Sequence, residues 1–266
     1  MLQPFVILAI EGEIVYSMHK EGSDIMFDRV TYKENAKVVL KRNYWSCFIV
    51  TLLVALISGI GSTFLNIEYR VEQLELSVEQ FNRFMSVAGP WITLAGIIGA
   101  IISLFVVDML KIGQARFFID ARHGEYRPES LFMVYKSGYF WNCVFVTFMK
   151  NLYVFLWSLL FVIPGIIAGY RYYFVEYILA DQPDLGKDEA LALSAEMTDG
   201  IKMDLFIMEL SFFGWSLLDL ITFNLAHYFI APYKQATYAE AYAAYSRGKQ
   251  YYNTDYTGYY GPEDRF

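Results

Sequence analysis

The sequence predicts an all-α polytopic membrane protein, with about six transmembrane helices in three hairpins and a short cytoplasmic amphipathic helix. Three observations carry this expectation. The chain of 266 residues is 56% hydrophobic and only 18% charged, where a soluble domain is about half apolar and about a quarter charged. The charges cluster between long apolar runs, several of them near the ~20 residues that a span requires. Basic residues gather at alternate ends of those runs, as the positive-inside rule expects. The net charge of −7 gives no electrostatic case for nucleic acid. Cys47 and Cys143 both lie in apolar stretches and read as buried thiols with no disulfide or metal role. His19, His123 and His227 are far apart in sequence and form no ligand pair.

Residues 1–25 hold an apolar run too short and too acidic for a signal peptide or a span. Two readings stand for them: a short cytoplasmic arm, or translated leader ahead of a start at Met26. The basic stretch "MFDRVTYKENAKVVLKRNYW" leads into the first span, Tyr44–Leu65, and the second is Val87–Leu110. Residues 26–43 and 111–138 each hold five Lys or Arg, while the loop between the spans holds four Glu and two Arg. Both flanks are therefore predicted inside and the loop outside.

Residues 139–180 admit two readings. One is a single span, Asn151–Tyr170, flanked by Lys150 and Arg171. The other is a hairpin, with residues 139–163 going out, a helix break at Pro164 and Gly165, and residues 165–180 returning. Pro lacks an N–H and Gly permits unusual dihedrals, although membrane helices also tolerate Pro as a kink. A turn between Ile163 and Pro164 puts Lys150 and Glu176 each about 13 residues away, hence about 20 Å deep at about 1.5 Å per residue. An acid and a base would then share one depth on neighbouring helices.

The stretch "DQPDLGKDEALALSAEMTDGIKMD" reads as an inner loop with an amphipathic helix capped by Asp184 and ended by Gly200. The last two spans are predicted at residues 204–224 and 226–245, with Pro232 as a further helix break. Residues 26–245 thus form one transmembrane domain, and residues 246–266 a disordered Tyr-rich tail. A weak echo links Phe161-x-x-Pro164-x-x-x-Ala168-x-Tyr170 to Phe229-x-x-Pro232-x-x-x-Ala236-x-Tyr238.

Several of these stretches resemble a bacterial family of integral membrane proteins called domain of unknown function 975. The resemblance rests on Ile163-Pro164-Gly165-Ile166, Leu179-Ala180-Asp181-x-Pro183, Leu193-Ser194, Gly200, Phe206 through Trp215, and Pro232-Tyr233. It implies a six-helix membrane protein with a tight third-to-fourth hairpin, and supplies no activity, substrate or catalytic residue.

The predicted spans contain Lys150, Arg171 and Glu176, and intramembrane ionisable groups often line solute routes. The sharp reading is a polar cleft around these three; the bland one is a structural ion pair with snorkelling stems. Asp181 and Pro183, where the fourth span ends, and Ser194 and Gly200, which frame the amphipathic helix, read either as an inner-surface ligand site or as chain-turning and packing residues. No phosphate loop, nucleophile elbow or zinc-protease motif is present in the sequence, so no enzyme and no cofactor are assigned. The expected setting is the bacterial cytoplasmic membrane with both termini inside. The expected partners are the lipid bilayer, a small-molecule or lipid ligand, and a membrane protein partner. Two functions stay open: handling of a small or amphipathic solute, and a scaffold or accessory subunit acting through the inner loop and tail.

Overall fold

In the computed structural model, residues 27–65, 78–215, 222 and 225–247 are described, and they contain helices and turns but no strand. Residues 1–26, the loop 66–77 between the first two predicted spans and the tail beyond 247 lie outside them, as does much of the second half of the predicted fifth span. Helix α1 (Arg29–Arg42) starts at Asp28, whose carboxylate accepts from the Val30 and Thr31 amides. The Thr31 hydroxyl donates to the same group, which holds the Asp28 carboxyl below its ordinary pKa. Lys41 and Arg42 close the last turn, where cations suit the helix dipole. Asn43 then breaks the helix, and its side chain caps α2 (Tyr44–Leu65) by accepting from the Ser46 amide at 3.2 Å. The chain bends by 103° there.

Helix α3 (Val78–Ile102) runs through a π-helical turn at Ser103–Val107 into α4 (Asp108–Arg122). The extra residue per turn rotates everything downstream relative to α3, and it does so just before Asp108 and Lys111. The continuous helix Ser86–Arg122 has 37 residues. At about 1.5 Å per residue it is about 55 Å long, well beyond a ~30 Å hydrocarbon core. The helix that carries the second predicted span therefore does not end at Leu110; it continues as a largely buried rod. Gly113 lets this rod meet a 3₁₀ turn at Pro128–Phe132, since a β-carbon there would lie 2.6 Å from the Leu131 Cα. A short α5 (Met133–Lys136) follows.

Residues 139–180 form a hairpin. Helix α6 (Phe140–Leu160) ends at Phe161, which is extended, and α7 (Val162–Arg171) starts at once. The partners across it separate in step from the turn: Ser158 with Gly165, Tyr153 with Tyr172, Lys150 with Glu176, Asn142 with Pro183. This pattern requires antiparallel arms. The break itself differs from the expectation. It lies at Phe161, so Pro164 sits in the first turn of α7, where a missing N–H costs nothing. Gly165 does not turn the chain; it admits the other arm, because a β-carbon there would lie 2.7 Å from the Ser158 Cα. The returning arm is itself interrupted at residues 172–174 before α8 (Val175–Asp181).

Helix α9 (Lys187–Met197) is preceded by Gly186 with no side-chain cap, so Asp184 does not fill the capping role. Gly200, at φ +78°, turns the chain toward α10 (Lys202–Leu210). Helix α11 runs unbroken from Leu225 to Arg247 with Pro232 inside it. Pro232 is thus not a helix break, as membrane helices tolerate; one residue along from the carbonyl that loses its donor, the Phe229 carbonyl accepts from the Tyr44 hydroxyl at 3.3 Å. The two echoed motifs occupy unlike places, one opening a helix and the other well inside one.

Two described helices, Ser86–Arg122 and Phe140–Leu160, are long and apolar enough to cross a membrane, or three if the bent pair of α1 and α2 counts as one. The predicted fourth span is divided between α7 and α8, each too short to cross alone. Helix α11 is long enough but not apolar enough. The buried core gathers around α4, α8 and the second half of α11. Large apolar side chains such as Trp45, Trp91, Ile97, Phe155, Leu159 and Ile163 are exposed on α2, α3, α6 and α7. Apolar surface on this scale marks contact with lipid or protein.

Candidate functional site: a polar cleft beside the hairpin

The arms of the α6–α7 hairpin bring Lys150 and Glu176 into a direct ion pair. The side chains are 13% and 20% exposed, so the pair is screened from bulk water but open on one side. That open side is a cavity of about 470 Å³. Across it stands Lys111 of α4, paired with Asp108 at 2.9 Å, and Asp108 also accepts from Asn151 of α6 at 3.0 Å. Gln114 and Gln235 add amides to the lining, and the Tyr177 hydroxyl donates to Gln235 at 3.4 Å. A second acid–base pair joins α10 to α11. Glu209 accepts from Lys234 at 3.0 Å and from the Tyr170 hydroxyl at 2.6 Å, which ties α7 to both.

Arg171 does not join this cluster. It ends α7 exposed, with its guanidinium 6.0 Å from the Tyr172 ring centre. Its backbone matters more. The Arg171 carbonyl accepts from Ser194 and Thr198, each at 3.1 Å, and the Ser194 hydroxyl accepts from the Phe174 amide at 3.2 Å. Ser194 is wholly buried, so it replaces the helical bonds lost at residues 172–174 where water is excluded. Ser194→Ala is expected to cost about 1–3 kcal/mol, the penalty for an orphaned buried donor, while Ser194→Thr keeps the hydroxyl. Detergent-phase unfolding of both variants would show the difference.

Residues 159–248 match the family described as Protein of unknown function (DUF975). No characterised protein and no solved structure matches the chain. The stretch matching the DUF975 family contains Arg171, Glu176, Ser194, Glu209 and Lys234, whereas Asp108, Lys111 and Lys150 lie before it.

Asp181, Pro183 and Gly200 also fall in that stretch, and they do not meet at one point. Asp181 accepts from Arg116 at 3.2 Å and from the Tyr242 hydroxyl at 2.8 Å. Arg116 also holds Asp120 at 2.9 Å. The Pro183 carbonyl accepts from Asn142 at 2.8 Å, which anchors the hairpin's open end. Asp181 and Pro183 line a larger cavity of about 730 Å³ beside Arg127 and Lys136. Next to it Arg122 and Glu240 form a buried pair at 2.8 Å. No group of three His, Cys, Asp or Glu positioned for a metal occurs among the described residues.

The residues that sequence reasoning missed are Asp108, Lys111, Arg116, Asp120 and Arg122. All of them lie on α4, directly after an apolar run. The opposite charges of Asp108 and Lys111, three apart, and of Arg116 and Asp120, four apart, are the signal that the helix continues.

Proposed function

We infer that the chain is a multi-pass protein of the bacterial cytoplasmic membrane, with both ends inside, that accommodates or passes a small or amphipathic solute at the cleft. Six apolar segments in three hairpins are the arrangement that fits this reading. In it the interrupted arm of α7 and α8 crosses only together with α6, to which it is paired along its length. The observation that carries the reading is the Lys150–Glu176 pair on the wall of a cavity, set among helices whose outer faces are apolar. A charge near the centre of a membrane helix costs about 2.5–3.5 kcal/mol, and a pair packed into a closed core would limit that cost best. Here the pair instead faces open space of ligand size.

The test is solute flux in reconstituted vesicles. Lys150→Ala and Glu176→Ala should each lower flux by about tenfold or more, about 1.4 kcal/mol of lost function. Arg171→Ala should leave it within about twofold, because that side chain points away from the pair. Loss of function only on deleting residues 246–266, with the charge variants unaffected, would instead favour the scaffold reading. The inner cavity at Asp181 and Tyr242 is the feature that supports that alternative.

A further inference from the structure

We propose that the cleft takes a zwitterionic solute, with its anionic end at Lys150 and Lys111 and its cationic end at Glu176; the proposal rests on the solute-handling reading above. The cleft offers both signs of charge. Two lysines, Lys111 of α4 and Lys150 of α6, line it. Glu176, in contact with Lys150, lines it as well, together with Tyr172, Tyr173 and Tyr177 from the same stretch of chain. Ammonium groups are held by carboxylates and by aromatic faces together, and carboxylates are held by lysines. The fourth charge, Asp108, is already satisfied by Lys111 and Asn151 and does not line the cavity.

Charge balance selects the ligand class. Lys150 and Glu176 now occupy each other's binding valence. A solute carrying one charge could open the pair only by leaving the other partner buried and uncompensated, which is costly. A solute carrying both charges replaces both halves, and the net charge of the site does not change. A cavity of about 470 Å³ is of the size used for small solutes.

The test uses the full chain in lipid nanodiscs, with binding read by tyrosine and tryptophan fluorescence. The probes are β-alanine and glycine betaine as zwitterions, butyrate as anion, choline as cation and glycerol as neutral solute. Both zwitterions should bind the unmodified chain at least about tenfold more tightly than the other three, the ratio expected when a charge loses its counter-charge. Glu176→Gln should weaken zwitterion binding by about tenfold and admit butyrate, and Lys150→Gln should admit choline, because each variant leaves one unmatched charge. If a variant fails to fold, the probe series on the unmodified chain decides alone. Glycerol, choline or butyrate binding as well as β-alanine would overturn the zwitterion assignment and leave the solute-handling reading standing. Failure of every probe to bind would also overturn it, and the flux assay then judges the broader reading separately.

Discussion

Replacing Arg122 with alanine should destabilise the protein by about 3–5 kcal/mol, the loss expected when one partner of a buried ion pair is left alone. The Arg122 and Glu240 side chains are 5% and 3% exposed and lie 2.8 Å apart. Asn35 of α1 completes the group, its amide donating to the second Glu240 oxygen at 3.5 Å. Three helices distant in sequence, α1, α4 and α11, thus converge on one charge pair. Removing the arginine leaves the buried carboxylate without a counter-charge, held by the longer Asn35 contact. Combining Arg122→Met with Glu240→Leu should cost less than either single change, since an apolar pair of similar volume carries no desolvation penalty. Denaturant titration in mixed micelles checks the ranking. A single-variant loss under about 1 kcal/mol would mean that the pair behaves as a surface bridge.

Gly113→Val should be of similar severity. Its β-carbon would collide with the Leu131 backbone, and backbone cannot swing aside as a side-chain end can. Overpacking of this kind costs about 1–3 kcal/mol and sometimes more, and the rigid neighbour puts Gly113 at the upper end. Gly96→Ala is the matched control. It too lies in a helix, but nothing stands within 4 Å of its new carbon, so a neutral result or a gain of up to about 1 kcal/mol is expected. The same titration separates the two. If both glycines tolerate substitution equally, the close crossing of α4 and the 3₁₀ turn is absent.

The all-α class was legible because hydropathy and charge clustering depend on composition, and the fold respects them. The facing of Lys150 and Glu176 was legible for a sturdier reason than the placing of the turn. Moving the turn from the Ile163–Pro164 bond to Phe161 shortens one arm and lengthens the other by two to three residues, about 4 Å each at about 1.5 Å per residue, a difference that two long side chains and the interruption at residues 172–174 absorb. What hydropathy could not resolve is where a helix stops. Asp108 and Lys111 end an apolar run but not a helix, so the far wall of the cleft was missed. Arg171 shows the converse error. It lies at a plausible depth, but the break at residues 172–174 decouples its direction from that of Glu176, and the bonds that stabilise that break come from Ser194 and Thr198, over twenty residues away. Pro232 was misjudged because a proline can bend, break or leave a membrane helix running on, and the residue alone does not tell these apart.

The crest of the α6–α7 hairpin has a bearing on how the molecule is made. From Asn151 to Tyr170 the chain contains no lysine, carboxylate or cysteine, and the arms are already fastened to each other beneath the crest through Ser158 and Gly165. In the proposed topology this element enters lipid as a finished wedge without ferrying a lysine, carboxylate or cysteine to the far leaflet, and amine-, thiol- or carboxyl-directed labels applied from that side find nothing there to modify.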